Sequence, residues 1–458
     1  MLFKLALIFV LFCAPQANAL KIEINKGLVK PDPIAIVDFY DEKGRASKTG
    51  IKVCEIIKND LLLSGLFEPL PESSFVESKE DLCAKGPNTN NWKILNLRFL
   101  VHGKIDERGN NFSISFELID IVTGAKMLSL KVDGAESKLR TAAHIIADFI
   151  YERITNEKGY FNTNIIYVET SYDKISAKRK TRLVKVDQDG ANPQSLTDGL
   201  ELVLTPRYSF DGQTVAYISY SDVAKDVLGK SAHVYMMNPD TGSKRLMINK
   251  QLMKMLIKKN RENPVQMTYA PRFSPDGQSA VLAIIIDGKS AIYTINFATN
   301  ELRQLTEHNC IDTSPCYSAD GKKIVFTSNR DGREAVFLMN ADGSDQKRIT
   351  KGEGKYSQPI WSPRGDLVAF TKQCGKEFYI GVIKPDGAGE RLITNGYLVE
   401  APCWSSNGRY LTYSMEPGPR QKSCVAVVDI TGRHVRVIET RKDAAYPAWS
   451  PTVSMKVK

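Results

Sequence analysis

Several catalytic signatures are absent from this chain. It has no H-E-x-x-H pair, which excludes the commonest zinc-hydrolase helix. It has no C-x-x-C, which removes zinc ribbons and thioredoxin-like redox chemistry. It has no G-x-S-x-G, the strained turn on which α/β-hydrolases mount their serine. Glycine-rich phosphate loops are missing too. Histidine is scarce: His102, His144, His233, His308 and His434 are the only five, and no two stand at metal-ligand spacing. Only His308 falls just ahead of one of the repeats described below, so a metal-dependent hydrolase or lyase is the weaker alternative. No apolar run after the first twenty residues reaches the 18 or so needed to span a bilayer, so the protein is expected not to cross a membrane.

Blocks of like charge are also lacking. The net charge is +10, but the densest basic run is Lys178-Arg179-Lys180, in a Ser/Asp/Lys-rich stretch that reads as a solvated loop. Nucleic acid is therefore not an expected partner. The apolar share of 42% and charged share of 25% are those of ordinary globular domains, and 458 residues are too many for one core.

The first residues form a leader. Lys4 gives the positive start, residues 5–12 are an apolar run too short to span a bilayer, and Pro15 breaks it. Ala17-Asn18-Ala19 is a small-residue cleavage site, so residues 1–19 read as a signal peptide cut after Ala19. Phe12 ahead of Cys13 argues against lipidation there. Export without an anchor implies the periplasm if the source is a bacterium. Seven cysteines remain: Cys54, Cys83, Cys310, Cys316, Cys374, Cys403 and Cys424. The number is odd, so at least one is unpaired within the chain; pairing of Cys54 with Cys83 stays open.

What is present is a repeat. PRYSFDG (206–212), PRFSPDG (271–277), PCYSADG (315–321), PIWSPRG (359–365), PCWSSNG (402–408) and PAWSP (447–451) align on their prolines. After one long interval the prolines recur every 43–45 residues. Two residues past each proline stands a ring, Tyr208, Phe273, Tyr317, Trp361, Trp404 or Trp449, large enough to fill the space between packed sheets. The serine that follows can bond nearby backbone, and Asp/Asn-Gly supplies a tight turn with Gly at positive φ. The next strand puts Val215 with Tyr217, Ile324 with Phe326, Val368 with Phe370 and Leu411 with Tyr413 on one face. Two further strands complete a four-stranded unit of propeller-blade length. No Trp-Asp dipeptide occurs, so the WD40 type is excluded. The last repeat stops after its first strand, while residues 165–197 read as three strands lacking a first; together they make a sixth blade and close the ring. The long interval implies insertions at 221–230 and 250–263, the second a short helix.

The expected architecture is thus an α/β N-terminal domain (34–160) followed by an all-β six-bladed β-propeller (161–458). Residues 47–63 and 137–154 read as helices, and 34–39, 97–105, 112–121 and 127–132 as strands. Residues 20–33, where Ile22 and Ile24 alternate with charged neighbours such as Glu23, read either as a mobile arm, cut off by Pro31 and Pro33, or as an ordinary first strand. Asp187-Gln-Asp-Gly190 resembles part of a calcium loop but sits where other repeats carry plain hairpin turns, and a turn is the expectation.

The order of leader, α/β domain and propeller, the P-x-[WF]-S-P-D-G repeats, the junction G-Y-F-N-T-N-I-I-Y-V (159–168) and the terminal P-A-W-S-P resemble the TolB family, from about Lys21 to Pro451. The resemblance implies a non-enzymatic periplasmic adaptor of the Tol–Pal system, without cofactor and monomeric on its own. It implies roles in outer-membrane integrity and in constriction at cell division. It implies binding of the lipoprotein Pal at the mouth of the propeller channel, formed by loops entering each inner strand, and of TolA by the arm. Family positions fall by their offset from the repeat proline on Ala270, Thr313 and, where the family has a histidine, Met267. Glu400 and Tyr446 occupy the same mouth. On the arm, Ile22, Glu23 and Ile24 are the expected contacts.

Overall fold

The structure is a computed structural model that describes residues 30–173, 178–220, 232–249, 251–252, 265–267, 271–286 and 288–452. The N-terminal unit is a five-stranded sheet in the order β2-β1-β3-β4-β5, with β1 Asp32–Ile36, β2 Phe67–Pro69, β3 Phe99–Arg108, β4 Asn111–Asp120 and β5 Lys126–Ala135. β1 runs parallel to β2 and β3, and the β3-β4-β5 meander is antiparallel. Helices α1 (Lys48–Leu63) and α4 (Leu139–Thr155) pack together on one face. Side-chain alternation in β1 explains the layering. Ile34 and Ile36 join the core under α1 and α4, while Ala35 and Val37 face Leu82 of α2 (Lys79–Lys85) and Trp92 of α3 (Thr89–Lys93). Ser47 caps α1 by accepting from the Gly50 N–H at 3.0 Å.

Both long helices and the meander lie where their hydrophobic periods put them, within a few residues. The short elements β2, α2 and α3 were not anticipated; at three to seven residues each they are too brief to show a period. Pro33 is a second difference. It lies inside β1, opposite Glu68, so it does not separate the preceding segment from the first strand. A proline is tolerated there because it stands at the strand's start.

The propeller has six sheets. Blade 1 is closed by both ends of the segment: the inner strand Asp443–Trp449 pairs antiparallel with Asn164–Asp173, followed by Lys178–Asp187 and Gln194–Ser195. Blade 2 begins with the inner strand Leu202–Tyr208, blade 4 with Asp312–Tyr317, blade 5 with Lys355–Trp361 and blade 6 with Leu398–Trp404. In blade 3 the inner strand is in two pieces, Val265–Met267 and Arg272–Phe273. The expected insertion at 221–230, and most of the one at 250–263, lie outside the described residues.

The repeat residues do the work their chemistry suggests. Trp361, Trp404 and Trp449 are buried, and the Trp404 indole donates to the Ile360 carbonyl of the neighbouring blade at 3.1 Å. Ser209, Ser274, Ser318 and Ser405 each accept from the backbone N–H five residues on at 2.9–3.0 Å, locking the turn. The turn glycines sit at positive φ, for example 72° at Gly212 and 77° at Gly365. All seven cysteines among the described residues are free thiols, with Cys54 and Cys83 in separate clusters.

Candidate functional site

Each inner strand starts at one end of the propeller and runs through its proline to the Ser-x-Asp-Gly turn at the other. The starting end carries the predicted partner-binding residues. In five blades the register slips just there, as between Thr313 and Cys316 or Glu400 and Cys403. The residue before the proline adopts a left-handed conformation: Thr205 (φ 47°), Ser314 (51°), Gln358 (52°), Ala401 (54°) and Tyr446 (53°). Proline has no N–H for the ladder and disfavours α geometry in its predecessor, so the chain bulges. Five such residues recur around the axis.

Thr313, Glu400 and Tyr446 were expected in loops entering the strands; they lie inside the strands, in or beside the bulges. Thr313 is half-buried opposite Thr327. Glu400 is half-buried opposite Ser414, and burial pushes its carboxyl upward. Tyr446 comes close to it: burial, then the Glu400 charge, push the phenol up, and Arg179 and Arg207 pull the other way. Met267 has backbone in the strand Val265–Met267, opposite Ile284. Ala270, Ile22, Glu23 and Ile24 lie outside the described residues. Adjacent blades are tied together at this level. The Gln358 side-chain Oε1 accepts from Thr371 Oγ1 at 2.9 Å and from the Ala401 N–H of the next blade at 2.7 Å. The Ser414 hydroxyl accepts from the Tyr446 N–H at 2.8 Å.

The opposite end carries the N-terminal domain. The turn Asp187–Gly190, expected to be a plain hairpin, is a hairpin whose side chains grip α1 and α4. Fully buried Asp60 of α1 bonds His144 Nδ1 of α4 at 2.6 Å and accepts from Gln188 at 2.9 Å. Arg140 donates to Asp187 at 2.6 Å and pairs with Asp189. Arg436 donates to both the carbonyl and side-chain oxygens of Gln188, at 2.9 and 2.8 Å. Burial works to lower His144, but Asp60, Asp187 and Asp189 outweigh it and push the imidazole up to about 10. Asp60, His144 and Asp189 bring ligand atoms within 4.8 Å of one another, a grouping that metal sites share. Here those atoms already serve each other and Arg140, whose fixed charge repels a cation; the chemistry is that of a salt-bridge network.

The junction is held as firmly. Tyr160 packs at a tilt against Tyr410 with ring centroids 4.5 Å apart, and Tyr410 donates to the Ser64 carbonyl at 2.8 Å. Asp148 accepts from the Phe161 and Asn162 N–H groups at 2.7 and 3.1 Å. A Cβ on Gly159 would meet Asp148 Oδ1 at 2.2 Å, so only glycine fits that place in the junction. Asn407 of a repeat turn donates to the Lys158 carbonyl at 3.0 Å. His308 is used locally, bonded to the Tyr293 hydroxyl at 3.0 Å.

The comparisons with known proteins bear on the whole chain. The profile of the TolB beta propeller domain matches residues 151–453, and that of the TolB amino-terminal domain matches residues 20–127. Among solved structures, TolB from Acinetobacter baumannii superposes with a TM-score of 0.76 at 22% identity, covering 92% of this chain and 97% of that one. A protein described as a TolB from Agrobacterium tumefaciens matches at 19% identity with a TM-score of 0.41, over 51% of this chain and 88% of its own.

Proposed function

The chain belongs to the TolB family, and from that premise we propose that it is a non-enzymatic periplasmic adaptor of the Tol–Pal system. In this reading it binds Pal at the free end of the propeller and TolA through residues 20–33. It would thereby serve outer-membrane integrity and the constriction of that membrane at division. The observation that supports the Pal surface is the ring of bulges. At the end away from the N-terminal domain, left-handed residues recur on blade after blade around one axis. Strained backbone costs stability, and it persists where function or packing holds it. Thr313, Glu400 and Tyr446 sit in or beside those bulges, and Ala270 and Met267 hold the corresponding places in the sequence repeat.

The test is Ala270→Trp, with Pal affinity and the melting curve measured on the same preparation. A clash that blocks docking and leaves the melting curve unchanged is expected. Normal folding with undiminished Pal binding would move the site elsewhere. For the arm, deletion of residues 20–30 should abolish TolA binding while Pal binding persists or strengthens. Unchanged TolA affinity would remove Ile22, Glu23 and Ile24 from the reading.

A further inference from the structure

The residue after each repeat proline is, in turn, Arg207, Arg272, Cys316, Ile360, Cys403 and Ala448. At this level, past the bulges, a cavity of about 350 Å³ opens on the propeller axis, with walls drawn from all six blades. Arg272 lines it, Lys158 of the interdomain junction closes one side, and Trp361 and Trp449 form part of the wall. Among the described residues no carboxylate lines it.

Arg207 immediately precedes Tyr208, which lines this cavity. It is buried, its Nη1 donates only to its own Pro206 carbonyl at 2.7 Å, and its Nε is buried with no partner among the described residues. Its guanidinium is within electrostatic reach of Arg272, Cys403, Cys316 and Tyr446, which belong to four other blades, so it lies near the axis. Arg272 has no hydrogen bond or ion pair among the described residues. Glu400, whose charge acts on Tyr446, makes no ion pair with either arginine among the described residues. Two neighbouring guanidiniums, one of them buried, are a costly arrangement unless negative charge lies between them. Burial and then Arg272 both act against the Arg207 charge, in keeping with a missing counter-ion.

We infer that the propeller axis is an oxyanion site, in which a carboxylate or phosphate-type group is held between Arg207 and Arg272. The planar fork of each guanidinium matches two oxygens of such a group. The group arrives either on a free ion or on an acidic side chain of a protein partner.

The mature chain, titrated calorimetrically with inorganic phosphate and separately with acetate at constant ionic strength, tests this. Saturable binding of at least one anion is expected, weakened at least about tenfold in Arg272→Gln and in Arg207→Met, because each loses a charge-assisted pair. Tighter phosphate binding would point to a free ion, and tighter acetate binding to a peptide carboxylate. Arg207→Met should also melt no lower than the wild type in anion-free buffer, since it removes an unpaired buried charge. The inference fails if neither anion binds saturably. It fails equally if Arg272→Gln, which alters the less buried of the two groups, binds both anions with undiminished affinity.

Discussion

The two ends of the propeller are built on opposite principles. At the end that carries the N-terminal domain, charged side chains are buried and paired, Asp60 with His144 and Gln188, Arg140 with Asp187, Asp148 with two backbone N–H groups, although the Tyr151 and Tyr160 hydroxyls there are buried without a hydrogen-bond partner among the described residues. At the free end the backbone itself is strained, and Thr205 keeps a buried hydroxyl without a partner among the described residues. A network of paired charges fixes one arrangement of two domains. Strained strands around an axis leave free energy available to whatever relieves or uses the strain.

The largest effect expected is on closure, which both ends need. Truncation after Thr440 removes the inner strand Asp443–Trp449 and bares the edge of Asn164–Asp173, along with the Trp449–Thr163 hydrogen bond of 2.8 Å. Aggregation and loss of a cooperative melt are expected by size-exclusion chromatography and calorimetry. A truncated chain that stays monomeric and melts cooperatively would show that the ring closes without its clasp.

Next in size is the docked end. Asp60→Ala strands His144 and Gln188 in a buried site and should cost about 3–5 kcal/mol. Gln358→Ala at the free end removes two ordinary hydrogen bonds and should cost about 1–2 kcal/mol. Urea midpoints of the two variants, measured side by side, rank the ends directly. Equal losses would abolish the contrast.

The same network sets a pH dependence. His144 holds its proton more tightly folded than unfolded, so its contribution is complete below about pH 6.5 and is lost as pH rises toward about 10. Asp148 acts in the same direction over a lower window. Burial raises it to about 7 despite the two N–H donors, so its contribution is present below about pH 3.8 and fades toward pH 7. Urea midpoints should therefore show a fall between pH 7 and 10 that His144→Gln flattens. A slope identical in that variant would assign the titration elsewhere.

How much of this was legible in the sequence follows from range. The propeller was readable because its signal repeats every 43–45 residues and each residue acts locally: the serine on a backbone five residues away, the glycine on its own φ. Closure was readable because the two fragments complement each other. The docked end was not, since Asp60 and Gln188 lie 128 residues apart and neither belongs to a periodic pattern. The one available sign was the turn Asp187–Gly190, more acidic than a hairpin requires. The free end was legible in place but not in conformation. The prolines marked the positions, yet their left-handed predecessors differ in type, from Thr205 to Tyr446, so no residue preference announced the bulge.

That last point yields the smallest and most discriminating test. Thr205 is β-branched, a poor residue for positive φ, and its hydroxyl is buried without a partner. Replacing it by glycine removes about 1–2 kcal/mol of left-handed strain. The gain is reduced by about 0.5–1 kcal/mol of extra backbone entropy in the unfolded chain. Relief of the orphaned hydroxyl adds to the gain. Thr205→Gly should therefore stabilise by roughly 1 kcal/mol, while Ala401→Gly, with no side-chain polar group to release, should gain less. Melting temperatures of both variants, compared with the wild type, decide the matter. If Thr205→Gly melts lower, contacts of the threonine outweigh the strain, and backbone strain does not set the free end apart from the docked one.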